Sequence, residues 1–341
     1  MPARLWKPLL GAALFVATLP AYSEEAAAVA PPATASPEAV TEIAGYAKLA
    51  RKAADEDKWP LADHFLGLVA AVDAPDIAKK AAFRSLAEDY EQKGQFSRAI
   101  AVYEKMTAIY LNEPDTPEII FRVGLLYRRA GVPKLAVARF YTVLNSALKF
   151  GAKDLEGYRA LARRAQWEIA ETSFQTGDFK KAHKYYDLLS RLEMPAPEMA
   201  RTKFRLTHCL ILNDETAKAI TAAEAFLQAY PEDESAAECR YLLASALREQ
   251  GRHNEAFDAV LALLRLEDGR KEMTPEKWIY WKKKAGNEFA NSYYQKGDAM
   301  SALTIFQSIA RLGEEPEWQW PVIYPMGLCF EKLRHAGRAA E

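Results

Sequence analysis

The chain has 341 residues, 50% apolar and 27% charged, with a formal net charge of -1. That balance builds a sizeable core and excludes a disordered or collagen-like chain. Charges of both signs are interspersed, which removes any general electrostatic drive toward nucleic acid or an anionic membrane surface.

The first element is a processing segment. Arg4 and Lys7 give a basic start, Leu9 to Leu19 is apolar, and Pro20 ends the run ahead of the small residues Ala21 and Ser23. This order predicts a signal peptide over 1–23, cut after Ser23. The apolar run is too short to cross about 30 Å of hydrocarbon as a helix, so no stable membrane span is expected after cleavage. No cysteine stands near the cut, which argues against lipid attachment. The expected location is therefore periplasmic or secreted. Residues 24–40 open with EEAAAVAPPATASPE and read as an Ala/Pro-rich disordered linker, because such side chains bury too little surface to offset ordering.

From there the chain repeats. Ala62, Ala99, Ala136, Ala182, Ala219, Ala256, Ala302 and Ala339 recur with similar company at intervals of 37, 37, 46, 37, 37, 46 and 37 residues. Twelve residues before each marker stands Ala50, Ala87, Gly124, Ala170, Thr207, Ala244, Ala290 or Gly327. Five units place glycine five residues before the marker, at Gly94, Gly131, Gly177, Gly251 and Gly297. On either side of that point the apolar residues fall three and four apart, as in Leu86 and Tyr90, then Ala99, Tyr103 and Met106, which predicts two helices per unit. Glycine ends the first helix with a positive backbone angle, and the small pair lets two antiparallel helices approach closely.

The predicted units lie near 43–79, 80–116, 117–153, 154–199, 200–236, 237–273, 274–319 and 320–341, the last incomplete. A longer period sits above the shorter one. A shift of 120 residues matches Glu168 with Glu288, Ala170 with Ala290, Gly177-Asp178 with Gly297-Asp298, and Cys209 with Cys329. Three hairpins were duplicated as a block. The extra nine residues of the fourth and seventh units predict first helices about two turns longer, the seventh beginning with Thr274 as cap and Pro275 at the first helical position. The eighth unit's first helix is expected from about Pro321 to Leu333.

Leu86, Ala87, Tyr90, Gly94, Phe96, Ala99 and Tyr103, and again Gly177, Asp178, Phe179, Ala182 and Tyr186, carry a resemblance to the tetratricopeptide repeat family from about Ile43 to Glu341. The units run 37 residues rather than the family's 34, and Met106 and Leu189 fill a position usually held by alanine. The resemblance implies an all-α solenoid of about eight stacked antiparallel hairpins in a right-handed superhelix, its first helices lining a concave face. Facing positions there are Phe121, Leu125, Arg128, Trp167, Glu171, Phe174, Phe204, His208, Ile211, Tyr241, Arg248, Asn291 and Tyr294. Rings supply contact area and polar groups supply register, which suits a peptide or protein partner.

Chemistry is sparse. The sequence has no G-x-S-x-G, phosphate-cradling G-x-x-x-x-G-K, G-x-G-x-x-G or H-E-x-x-H motif, and its five histidines share no ligand spacing. No catalytic residue, metal or cofactor is expected. Cys209, Cys239 and Cys329 fall too far apart along a stacked rod to bridge, and are expected as buried thiols. The pairs Arg128-Arg129 and Arg163-Arg164 and the run Lys282 to Lys284 read as solvated faces. The functional expectation is a non-enzymatic interaction scaffold of the cell envelope. The alternative is the docking arm of a larger envelope enzyme whose catalytic module lies beyond residue 341.

Overall fold

Direction changes in this chain are set by backbone angles that few residues tolerate. Gly94, Gly131, Gly177, Gly251 and Gly297 all take positive φ, between 70° and 89°. At Gly94 the amide donates to Glu91 O at 3.0 Å and the next amide, of Gln95, donates to Tyr90 O at 2.8 Å, the paired closure that satisfies the last carbonyls of a helix. The three units without glycine make the same closure with Asp57, Asp214 and Arg334, at φ of 57°, 60° and 61°. Those residues also stand five before their markers, so the turn survives the loss of its usual residue.

The computed structural model describes residues 35–150, 155–265, 275–313 and 315–340; the expected signal peptide, most of the expected linker and the expected Thr274 cap lie outside them. Among the described residues there are sixteen α-helices and no strand. They form eight hairpins: α1 (Pro37–Asp55) with α2 (Trp59–Ala71), α3 (Asp76–Gln92) with α4 (Phe96–Ile109), α5 (Thr116–Arg129) with α6 (Pro133–Phe150), and α7 (Leu155–Gln175) with α8 (Phe179–Ser190). The next four are α9 (Ala196–Leu212) with α10 (Thr216–Ala229), α11 (Ala236–Glu249) with α12 (His253–Arg265), α13 (Pro275–Gln295) with α14 (Ala299–Ala310), and α15 (Pro316–Lys332) with α16 (Ala336–Ala340). Every substantial contact joins a helix to the next or next but one in the chain, so the fold is an all-α helical repeat.

In the first seven hairpins the small pairs sit at the helix crossings, fully buried. Gly124 shows why: a Cβ there would lie 2.5 Å from Cε1 of Phe140. Around the crossings Phe83, Tyr90, Tyr103, Phe140, Tyr186, Phe226, Phe289 and Phe306 are almost wholly removed from water. Each such side chain contributes about 1.5–3 kcal/mol. In the last hairpin, whose second helix α16 has five residues, Gly327 and Ala339 are only half-buried.

Several element limits differ from the spacing. α1 reaches back to Pro37, inside the segment read as linker, because Ser36 Oγ accepts from Ala39 N at 3.1 Å and Pro37 opens the helix. α15 begins at Pro316, not Pro321, and carries Pro321 and Pro325 inside it. Its early turn is anchored by Trp318, whose indole N–H donates to Ile309 O at 3.2 Å. The long first helices are present: α7 and α13 each have 21 residues, against 14 in α5 and α11. All three cysteines are buried free thiols, and burial pushes Cys209 and Cys239 up to about 12.

Candidate protein-interaction face

First helices of successive units touch one another at α1–α3, α5–α7, α9–α11 and α11–α13, while second helices do so at α2–α4 and α12–α14. The expected binding residues stand fifteen, eleven or eight before their markers, a single stripe along each first helix. Much of that stripe faces a neighbouring first helix.

At the position fifteen before the marker, the rings are capped by cations from the following unit. Arg164 of α7 lies 4.4 Å from the centroid of Phe121 on α5, Arg201 of α9 lies 4.1 Å from Trp167 on α7, and Lys284 of α13 lies 5.0 Å from Tyr241 on α11. All three cations stand eighteen residues before their own markers, and all are exposed. About two turns further along, at the position eight before the marker, Arg205 lies 4.9 Å from the Phe174 ring and Lys332 of α15 lies 3.8 Å from that of Tyr294. A guanidinium or ammonium over a ring face gains about 0.5–1 kcal/mol at an exposed site and more where water is excluded.

Ion pairs run beside these stacks. Arg128 bonds Glu168, and 120 residues later Arg248 bonds Glu288, so the duplicated block kept its joint. Glu288 also accepts from the Tyr241 hydroxyl at 2.7 Å. Glu171 is buried, held by Arg205 Nε at 2.9 Å and the Tyr186 hydroxyl at 2.5 Å. Burial raises the Tyr186 hydroxyl well above its ordinary range. Burial also raises the carboxyls of Glu168 and Glu238, against the pull of Arg128 on the first and Arg205 on the second. His208 is wedged between the Phe174 and Phe204 rings, with centroids at 5.1 and 6.0 Å. Its Nδ1 has no hydrogen-bond partner and burial pulls its imidazole down to about 4.

This geometry corrects part of the expected site. Phe121, Glu171, Phe204 and Tyr241 are buried and close gaps between units, so they offer no open contact surface. Arg128 and Arg248 are committed to Glu168 and Glu288. Trp167, Phe174, His208 and Tyr294 are half-buried, and Asn291 is exposed, donating to Asn287 O at 2.8 Å. The run Lys282 to Lys284 is not a uniformly solvated face either: Lys282 is buried, and Lys283 lies 4.0 Å from the Trp318 ring. Arg164, Arg201 and Lys284 are the residues that sequence reasoning missed. Their signal was a basic residue eighteen before the marker, three before Trp167, Phe204 and Asn287, in the units that follow Phe121, Trp167 and Tyr241. Among the described residues no three His, Cys, Asp or Glu side chains gather in a metal-binding group, and no helix is long and apolar enough to cross a membrane.

Comparison with known proteins gives three kinds of similarity. A family model described as YfiO, outer membrane lipoprotein, matches residues 160–271. DnaJ homolog subfamily C member 3 of Gallus gallus is 25% identical over 181 residues, 51% of this chain and 35% of that protein, so the chain spans about a third of the length of this relative. Among solved structures, MamA from Desulfovibrio magneticus RS-1 is 17% identical with a TM-score of 0.43, covering 56% of this chain and 96% of that one. YrrB, described as a TPR protein with an unusual peptide-binding site, is 15% identical with a TM-score of 0.40, covering 66% and 91%.

Proposed function

We propose that this tetratricopeptide-repeat protein, so identified by its register and its eight hairpins, is a non-enzymatic scaffold of the cell envelope that holds a peptide or protein along its first helices. The observation that carries the reading is the row of exposed cations seated on rings of the preceding unit, Arg201 and Lys284, with Arg164 in the same place and already ion-paired to Glu118 at 3.0 Å. A charge fixed over a ring has lost much of its rotamer freedom before any partner arrives, so a carboxylate or carbonyl can meet it at reduced entropic cost. Repetition along successive helices suits an extended or helical segment better than a small molecule, which needs one concave pocket.

An envelope setting is supported by the basic, apolar and small-residue order of residues 1–23 and by the partial match to an outer membrane lipoprotein family. The test is capture of a partner from an envelope extract by the intact protein and by the triple variant Arg164→Glu, Arg201→Glu, Lys284→Glu. The variant is expected to keep its helical circular dichroism and lose the partner. Undiminished capture removes this face from consideration.

A further inference from the structure

At each end of the described helices the repeating interface shows only one of its two sides. On α15 the outward stripe carries Trp320, Ile323 and Tyr324, exposed at 73%, 48% and 71%. Tyr324 stands fifteen before the marker Ala339, the position of Phe121, Trp167, Phe204 and Tyr241 in earlier units. Those rings are buried or half-buried, and Arg164, Arg201 and Lys284 show that the next first helix does the covering. No such helix follows α15 among the described residues.

The other end lacks the opposite half. Leu49 of α1 stands thirteen before Ala62, where Leu86, Val123, Ile169, Leu243 and Phe289 are all buried, yet Leu49 is 43% exposed. That position is covered from the preceding unit, as Arg248 of α11 covers the Phe289 ring of α13 at 4.2 Å. The tail therefore presents what a following helix covers, and the head presents what a preceding helix covers.

Charge follows the same register. Internal joints pair the residue eight before one marker with the residue fourteen before the next: Glu91 with Arg122 at 3.0 Å, Arg128 with Glu168, and Arg248 with Glu288. At the two ends these positions are Glu331 and Lys48, opposite in sign, exposed, and without an ion-pair partner among the described residues. Their signs match the Glu91–Arg122 joint.

We propose that α15 of one copy stacks on α1 of a second copy, continuing the solenoid head to tail, with Trp320, Ile323 and Tyr324 covered and Glu331 paired to Lys48. Such an interface uses different patches on the two copies, so it builds open chains rather than a closed two-fold pair. One joint is small, so association is expected to be weak and to grow with protein concentration.

Sedimentation velocity of the intact chain over a concentration series tests the proposal. The wild type is expected to shift to larger species as concentration rises. Trp320→Gln with Tyr324→Gln should abolish the shift, and Lys48→Glu should weaken it by at least about tenfold. Lys48→Glu combined with Glu331→Lys should restore it. All four substitutions lie on exposed positions, and circular dichroism checks that the helices persist. A wild type that stays monomeric overturns the proposal. So does assembly that needs the aromatics yet ignores the charge reversal, the signature of tail-to-tail pairing, and so does a charge swap that fails to rescue.

Discussion

Asp57, Asp214 and Arg334 hold left-handed backbone angles where five sister units hold glycine, so the chain contains its own comparison of strained and unstrained turns. A side chain in this region costs roughly 1–2 kcal/mol, less for aspartate, while glycine carries an entropic cost of its own. Gly177→Ala is therefore expected to lower unfolding stability by about 1 kcal/mol, and Asp214→Gly to change it by less than about 0.5 kcal/mol, both read from urea midpoints. His208 gives a second residue-level outcome. The unfolded chain protonates it near its ordinary 6.5, the folded chain only at about 4, so the stability gained by keeping it neutral is complete above pH 6.5 and lost as pH falls toward 4. Protonation raises the stability of buried Glu168 and Glu238 over part of that range, but both are unchanged in a His208 variant. Between pH 7 and pH 5 the wild-type urea midpoint should thus fall further than that of His208→Phe, whose ring would pack between Phe174 and Phe204. Equal falls would contradict the burial of a neutral imidazole.

At the scale of the element, hairpins were legible because a close crossing admits so few side chains. Ala87 against Ala99, and Gly124 beneath Phe140, fix both helices and their register from small residues alone. Helix limits were less legible, since a cap such as Ser36 or an anchor such as Trp318 works only once its tertiary or local partner is in place. The stripe on the first helices was read as one face, but which of its residues remain open depends on a helix that lies 30 to 45 residues further on. Phe121 and Tyr241 look like contact residues until Arg164 and Lys284 are laid over them. The same dependence made the Arg128–Glu168 and Arg248–Glu288 joints invisible as pairs, although the shift of 120 residues already held both glutamates. A double-mutant cycle on Arg248→Ala and Glu288→Gln is expected to give a coupling on the order of 1 kcal/mol in chemical unfolding, because the pair is partly buried and shares Glu288 with Tyr241. A coupling near zero would mean that the joint is held by ring stacking alone.

For the whole molecule, contact only between neighbouring helices makes stability a sum of units and joints, and leaves a long surface rather than a central site. The proposed function rests on what that surface presents: cations seated on rings along the first helices. The most direct measurement is photo-crosslinking in living cells with a reactive residue at Arg201 of α9, set against the same residue at exposed Lys184 of α8. A defined crosslinked partner is expected from position 201 and none from position 184. A partner captured from 184 alone would place the interaction on the opposite face and contradict the proposed function.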